Sequence, residues 1–114
     1  MINYSNKDIW LVNFDPSFGH EFSKIRPALI VENSVFINSF ELIAVVPISS
    51  QINKIFELDL ILPKDKMNNL LQDSIIKTKQ LNTFDKRRFI KKIGVCNDLV
   101  FSQLRLNLKL FLDL

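Results

Sequence analysis

Residues 15–31, DPSFGHEFSKIRPALIV, join a turn-rich loop to the start of an apolar strand. Pro16 and Gly19 are typical of a loop, whereas Arg26 and the proline after it open the apolar run 28–31. A proline can begin a strand because it gives up only a terminal hydrogen bond of the ladder. Arg26 is therefore predicted to lie where a polar loop meets a rigid sheet, which is where binding and catalytic groups concentrate.

Three ionisable groups of different chemistry lie close together in this stretch: His20, Glu21 and Arg26. His20 is the only histidine of the chain, and histidine titrates near neutral pH. An acid, an imidazole and a guanidinium at one loop suit a reaction site. They also suit an exposed hairpin loop whose charges are merely solvated, and on this stretch alone the solvated loop is the favoured interpretation.

The composition is that of a globular protein. The 114 residues are enough for one compact domain, predicted to span 1–114, and 47% of them are hydrophobic. Cys96 is the only cysteine, so no internal disulfide can form and a reducing compartment is expected. The N-terminal residues MINYSNKD lack the apolar core of a signal peptide, and no apolar run is long enough to span a membrane. We therefore expect a soluble cytoplasmic protein.

The net charge of +3 conceals an uneven distribution. Residues 77–92, which we call the basic block, hold seven basic residues and one acid, whereas the rest of the chain is net negative. A local positive field suits a polyanion such as nucleic acid. The alternative is a solvated strand–turn–strand segment whose exposed charges keep the protein soluble.

Six segments rich in strand-forming residues predict a mainly β protein. They are residues 8–14, 26–32, 40–47, 56–62, 73–81 and 89–95. The first is apolar on both faces, so it is expected to be central in a sheet or covered by another element. Residues 33–39 are predicted as a connection and residues 64–69 as a single helical turn.

The C-terminal segment has two periodicities. Leucines recur at every second residue, which is typical of a strand, yet Val100, Leu104 and Leu108 share one helical face. Asn97 is a good N-cap, and no glycine or proline interrupts the segment. We predict a helix over residues 98–112. Several short strands closed by one helix indicate a small, strongly bent sheet or a partly open barrel.

The sequence lacks the residues that would bind a metal or a nucleotide cofactor. One cysteine and one histidine cannot build a zinc site, and the acids are scattered. With only Gly19 and Gly94, there is neither a Walker loop nor a dinucleotide-binding fingerprint. Any reaction is therefore expected to rely on side chains alone, without a cofactor.

Three segments together resemble one protein family. They are residues 9–33 (IWLVNFDPSFGHEFSKIRPALIVEN), 45–51 (VVPISSQ) and 80–85 (QLNTFD). In order and spacing they are similar to the MazF/PemK family of toxin endoribonucleases. The resemblance implies an SH3-like small barrel of the MazF/CcdB type with a C-terminal helix. It also implies a homodimer that cleaves single-stranded RNA, an acidic antitoxin as partner, and DNA binding by the toxin–antitoxin complex.

The resemblance assigns catalytic roles to three residues. It implies that the 2′-hydroxyl of RNA attacks the phosphate and that the products carry a 2′,3′-cyclic phosphate and a 5′-hydroxyl. Arg26 would hold the phosphate, because its planar fork matches two phosphate oxygens. Ser49 stands where the family commonly has threonine, and it keeps the hydroxyl donor. Glu21, at the family's Gly-x-Glu position, is either the base or the group that orients Arg26.

A second set of residues is expected to contact RNA: Phe18, His20, Lys24, Ser50, Gln51, Lys79 and Gln80. Phe18 either stacks on an unpaired base or anchors the loop in the core. Lys79 and Asn82 depart from the family pattern, because some members have an acid and an arginine at these positions. That acid cannot act as base here, so the identity of the general base and a catalytic role for His20 stay open.

Two other functions on the same fold compete with RNA cleavage. One is a non-enzymatic toxin that inhibits gyrase, but that branch has a tryptophan in its C-terminal tail, whereas this chain ends in FLDL and its only tryptophan is Trp10. The other is a basic barrel that binds RNA without cutting it, and the combination of Arg26 with Ser49 argues against it.

Overall fold

The computed structural model describes residues 2–16, 18–19 and 24–114. In this part of the chain the protein forms seven strands and two α-helices. The strands are β1 (Asp8–Asn13), β2 (Ile25–Ile30), β3 (Leu42–Ser49), β4 (Leu60–Leu62), β5 (Ser74–Ile76), β6 (Asn82–Asp85) and β7 (Phe89–Val95), and the helices are α1 (Ser34–Ile37) and α2 (Asp98–Leu112). Short 3-10 turns at Thr78–Gln80 and Lys86–Arg88 connect β5 to β6 and β6 to β7.

The strands form one antiparallel sheet in the order β4–β5–β3–β2–β1–β7, with β6 paired to β3. Among the described strands, the two outermost, β4 and β7, do not pair with each other. Instead, the turn after β4 lies against β7, where the Val95 N–H donates to the Met67 carbonyl at 2.9 Å. Gly94 permits this close approach, because a Cβ atom there would collide with the same carbonyl. The expected small, strongly bent and partly open barrel is confirmed.

Apolar side chains fill both faces of the sheet. On one face, Ile9, Leu29 and Val46 pack with Phe101 and Leu104 of α2. The cluster on the other face consists of Trp10, Val12, Phe14, Ala28, Ile30, Ile37, Ile43, Val45 and Phe89. Alternate residues of a strand point to opposite faces, so β1, which lies between β2 and β7, contributes to both clusters. Of the two positions expected for the first strand, central in a sheet or covered by another element, the structure shows a strand paired on both sides.

The predicted C-terminal helix is confirmed as α2. The Asn97 side chain caps it by accepting a hydrogen bond from the Val100 N–H at 2.9 Å. Phe101 and Leu104 are buried, so tertiary packing selects the helical periodicity. Cys96 lies in the same core, and burial raises the pKa of its thiol to about 11. The thiol therefore stays protonated at neutral pH, as expected of a cysteine with a packing role.

The strand predicted for residues 73–81 is wrong in its length. β5 ends at Ile76, and the chain then makes the 3-10 turn Thr78–Gln80 before β6 resumes pairing with β3. The Lys77 N–H donates to the Pro47 carbonyl at 3.0 Å, and the turn packs against α2. Contacts with two distant elements therefore override a continuous strand pattern.

At two other places, backbone hydrogen bonds to a carboxylate form a turn where a strand or a helix was predicted. The strand predicted for 56–62 is confirmed only at its end, because the Asp59 carboxylate accepts from the Phe56 N–H at 2.8 Å and closes a turn. Segment 64–69 is a turn and not a helix. There the Asp65 carboxylate accepts from the backbone N–H groups two and three residues later, at 2.8 and 2.7 Å. Such local bonds compete with a helical ladder.

The two helices differ in size and burial. α1 is one turn within the segment 33–39, which was predicted as a connection, and it buries Ile37. α2 supplies much of one apolar core. In the part of the chain that the structure describes, neither is both long and apolar enough to cross a membrane.

Candidate functional site

Two predicted catalytic residues lie at neighbouring ends of the strands β2 and β3. The pairing of these strands ends with Ala28 opposite Pro47, and Arg26 and Ser49 each lie two residues beyond this pair, on β2 and at the end of β3. Side chains two residues apart on a strand point to the same face, so both belong to the face of Ala28. On its other side, Arg26 lies opposite Val12 of β1. A cation and a hydroxyl from adjacent strands therefore flank one end of the sheet.

The Arg26 side chain is available to a ligand. The residue is exposed, and its guanidinium makes no hydrogen bond or ion pair with the residues that the structure describes. Arginine keeps its charge at physiological pH, and its planar fork can bind two oxygens of one phosphate. The local geometry thus presents a permanent cation that no described carboxylate neutralises.

Ser49 ends β3 with its hydroxyl partly in use. The Ser49 Oγ accepts a hydrogen bond from the Gln51 N–H at 3.2 Å, and the side chain is half-buried. A hydroxyl that accepts one bond still has its own proton to donate. The two residues that follow, Ser50 and Gln51, are exposed. Ser49 is therefore oriented by its own turn and can donate to an anion.

Hydrogen bonds close the neck of the loop between β1 and β2, by which we mean residues 13–15 together with Lys24. The Phe14 N–H donates to the Lys24 carbonyl at 2.8 Å, and the Lys24 N–H donates to the Asp15 carboxylate at 2.9 Å. The Asp15 N–H donates to the Asn13 side chain at 3.0 Å. Lys24 adopts a left-handed backbone conformation, with φ of 64°, directly before β2. The neck therefore fixes where the chain re-enters the sheet, two residues before Arg26.

The loop itself is described only in part. His20 and Glu21 lie outside the described residues, so their roles remain predictions. Phe18 is 79% exposed, so its ring is not buried in the core, which was one of its two expected positions. Lys24 is exposed at the neck.

Lys79 and Gln80 lie on the 3-10 turn that packs against α2. The Lys79 Nζ is 4.0 Å from a carboxylate oxygen of Glu57, in the connection between β3 and β4. Lys79 and Gln80 are therefore not joined by a hydrogen bond or an ion pair to Arg26 or Ser49 in the described part of the chain, although their turn packs against β3 as well as α2.

The side chains of the basic block differ in exposure and in their partners. The Lys77 side chain is 11% exposed and pairs at 2.5 Å with Asp59, which is 3% exposed. Lys92 pairs at 3.3 Å with the buried Asp8. Arg87 is 90% exposed, and its hydrogen bond to Asp85 lowers the pKa of that carboxyl. The basic block is therefore only partly exposed, because carboxylates from distant segments form ion pairs with Lys77 and Lys92.

Sequence reasoning missed two structural roles in this block. Lys77 holds the connection between β3 and β4, through Asp59 and through the Lys54 carbonyl at 3.3 Å. Arg88 reaches the neck of the β1–β2 loop, where it donates to the Asn13 carbonyl at 3.1 Å. No local pattern signals either contact, because each partner lies far away in the sequence.

The described site has the chemistry of a phosphate-binding centre. A guanidinium without a partner among the described residues and a hydroxyl donor can bind phosphate oxygens and stabilise charge that develops on them. Across residues 2–16, 18–19 and 24–114, no three side chains of the His, Cys, Asp or Glu types cluster so that they could hold a metal ion.

Comparisons with known proteins agree with this fold and these motifs. A family model described as PemK-like, MazF-like toxin of type II toxin–antitoxin system matches residues 5–112. Endoribonuclease MazF9 of Mycobacterium tuberculosis (strain ATCC 25618 / H37Rv) is 30% identical over 112 aligned residues, covering 94% of each protein.

Solved structures share the fold at lower identity. The crystal structure of MazF from Deinococcus radiodurans superposes with a TM-score of 0.86 at 21% identity, over 100% of both chains. A chain of a MazE–MazF crystal structure from the same organism has a TM-score of 0.77 at 17% identity, covering 100% of this chain and 99% of that one. Since the family model matches almost the whole chain and the relative from M. tuberculosis aligns over almost its full length, this protein belongs to the family of PemK-like, MazF-like toxins of type II toxin–antitoxin systems.

Proposed function

We propose that this toxin is an endoribonuclease that cleaves single-stranded RNA by attack of the RNA's own 2′-hydroxyl. The observation that carries the proposal is that Arg26, whose guanidinium has no hydrogen bond or ion pair to a described residue, and Ser49 each lie two residues beyond the last residue pair that joins β2 to β3. The relative named an endoribonuclease supports the same activity. RNA brings its own nucleophile, so phosphate-binding groups together with a base and an acid are sufficient.

The proposed reaction exchanges one phosphorus–oxygen bond for another. The 2′-oxygen bonds to the adjacent phosphorus and loses its proton to a base, while the bond to the 5′-oxygen breaks and that oxygen takes up a proton. Arg26 binds two non-bridging oxygens and offsets the charge that develops on them. Ser49 donates a hydrogen bond to the same phosphate. Glu21 acts as the base or orients Arg26.

The two loops beside this centre are proposed to bind the flanking nucleotides. Their candidate residues are Phe18, His20, Lys24, Ser50 and Gln51. Lys79 and Gln80 are proposed to contact RNA further from the cleaved bond, because Lys79 pairs with Glu57 and not with the centre. Among these residues, the lysines suit the backbone charge of single-stranded RNA, and the Phe18 ring suits its unstacked bases.

The purified toxin is expected to cleave single-stranded RNA in excess EDTA, because the proposed chemistry uses side chains alone. The products should carry a 2′,3′-cyclic phosphate and a 5′-hydroxyl, which mass spectrometry of the fragments identifies. A matched oligonucleotide with 2′-deoxyribose only at the cleaved position should bind and remain intact. Cleavage of that oligonucleotide would exclude attack by the 2′-hydroxyl. Loss of activity in EDTA with recovery in Mg²⁺ would show that the proposed metal-independent mechanism is wrong.

We also propose that the toxin is a homodimer held silent by an acidic antitoxin. Leu99, Leu106 and Leu110 of α2 are 55–83% exposed and, by their spacing, share one helical face. An exposed apolar patch of this kind often marks a protein interface. A second copy of the chain is the proposed cover. The antitoxin proposal is supported by the solved MazE–MazF complexes, whose toxin chains share this fold.

Replacing Leu106 and Leu110 together by glutamate is expected to convert the dimer to a monomer, because an interface cannot bury two unpaired carboxylates without a large cost. Sedimentation velocity at matched protein concentrations measures the change. Lys109→Glu is the control, because it adds a carboxylate to the same helix without replacing an exposed leucine. This variant should remain dimeric. A double variant that still sediments as a dimer would place the interface elsewhere.

A further inference from the structure

Arg88 joins the end of β6 and the start of β7 to the neck of the β1–β2 loop. Its Nη1 donates to the backbone carbonyls of both Asn13 and Asp15. Its guanidinium also lies over the ring of Phe84, with 5.6 Å between the Cζ and the ring centroid. The Phe84 ring in turn meets the ring of Phe14 edge-on, with 5.0 Å between centroids. Arg88 thus packs over the Phe84 ring and donates hydrogen bonds to the backbone on both sides of Phe14.

These contacts act at the point where the loop leaves the sheet. Phe14 is buried, and the two carbonyls that Arg88 binds belong to the residues before and after it. The Asp15 side chain receives the Lys24 N–H, so the departing and returning segments are tied together at the same residue. Arg26 follows two residues later. The Arg88 guanidinium therefore adds two hydrogen bonds to the neck from which both the loop and Arg26 extend.

We propose that Arg88 is a positioning residue that fixes the geometry of the β1–β2 loop and of Arg26 for cleavage, without contacting the RNA itself. This inference rests on the proposed ribonuclease function. Hydrogen bonds from a charged donor are stronger than neutral ones, and their loss would leave two backbone carbonyls without this partner. Small displacements of positioning groups cost large factors in rate.

The competing interpretation is that Arg88 binds an RNA phosphate as part of the basic block. Arg87 provides a matched control, because it is the same residue type at the adjacent position. It is 90% exposed, and its side-chain hydrogen bonds go to Asp85 within its own turn. Removing either arginine removes one positive charge from nearly the same place, but only the Arg88 variant releases the loop neck.

The test compares Arg88→Ala with Arg87→Ala in steady-state cleavage of one RNA oligonucleotide at several salt concentrations. Arg88→Ala should lower kcat by about 10- to 100-fold, with KM and its salt dependence close to wild type. Arg87→Ala should leave kcat unchanged. Added guanidinium ion at millimolar concentration should restore part of the lost kcat of Arg88→Ala, whereas the same concentration of NaCl should not. Hydrogen exchange should speed up at the Phe14 and Lys24 amides of Arg88→Ala only.

Three results would overturn the proposal. The first is an unchanged kcat in Arg88→Ala, and the second is a loss expressed in KM with a reduced salt slope, which would make Arg88 a phosphate contact. The third is unchanged amide exchange at the neck. If Arg88→Ala does not fold, Arg88→Lys keeps the charge without the planar fork and should show an intermediate kcat. If the wild-type protein cuts no RNA, the proposed function fails, while the amide exchange comparison still decides whether Arg88 holds the loop.

Discussion

Replacing Arg26 by alanine is expected to slow RNA cleavage by about 100- to 1,000-fold, the usual effect of losing one transition-state donor, while the protein keeps its fold. The side chain is exposed and makes no hydrogen bond or ion pair with a described residue, so its removal costs little stability. Its proposed partner is the phosphate, on which charge develops in the transition state. Single-turnover cleavage with enzyme in excess measures the chemical step, and thermal unfolding checks the fold.

Two companion variants, one at Arg26 and one at Ser49, test the two proposed phosphate contacts separately. Arg26→Lys keeps the positive charge but loses the fork that binds two oxygens, so it should recover only a small part of the rate. Ser49→Ala should slow the same step. Its only expected structural effect is the loss of the hydrogen bond that the Ser49 Oγ accepts from the Gln51 N–H. Near wild-type cleavage by a folded Arg26→Ala protein would remove Arg26 from the mechanism.

Replacing Lys77 by methionine is expected to lower the free energy of unfolding by about 3 kcal/mol, because it leaves the Asp59 carboxylate buried without its cation. The two side chains are 11% and 3% exposed and lie 2.5 Å apart. Lys77 also donates to the Lys54 carbonyl and lies over the Phe56 ring, 4.7 Å from its centroid. Urea unfolding at one fixed protein concentration measures the change.

Lys79→Met is the matched control for this prediction. Lys79 is two residues away, its side chain is 51% exposed, and its nearest carboxylate, on Glu57, is 4.0 Å away. An exposed pair of this kind contributes less than about 1 kcal/mol, so the control should unfold almost like wild type. The double variant Lys77→Met with Asp59→Leu should recover part of the loss, since it buries no unpaired charge. Equal stabilities of the Lys77 and Lys79 variants would contradict the assignment of a stabilising buried pair.

The family, the mainly β architecture and the C-terminal helix could be predicted from the sequence because their signals are local. Strand periodicity, the Arg-Pro strand start and the Asn97 cap each depend on residues a few positions apart. Arg26 and Ser49 could be named through the family resemblance. Residue patterns alone favoured a solvated hairpin over a reaction site for this loop.

The length of the fifth strand could not be predicted, because the pattern of residues 73–81 is continuous while the structure interrupts it. The interruption comes from the Pro47 carbonyl on β3 and from the packing of α2 against the turn. Both partners lie far away in the sequence. Tertiary contacts therefore overrode a local propensity that was otherwise sound.

The sequence by itself determined which residues carry charge, which faces are apolar and where the helix begins, because neighbouring residues decide these properties. Only the tertiary structure decided how the charges are used. Arg87 and Arg88 are identical in type and adjacent in sequence, yet Arg87 stays in solvent while Arg88 binds a carbonyl 75 residues away. The physical reason is that strand register and chain reversal determine which distant groups meet, and a cation that meets an acceptor from a distant segment becomes part of the fold.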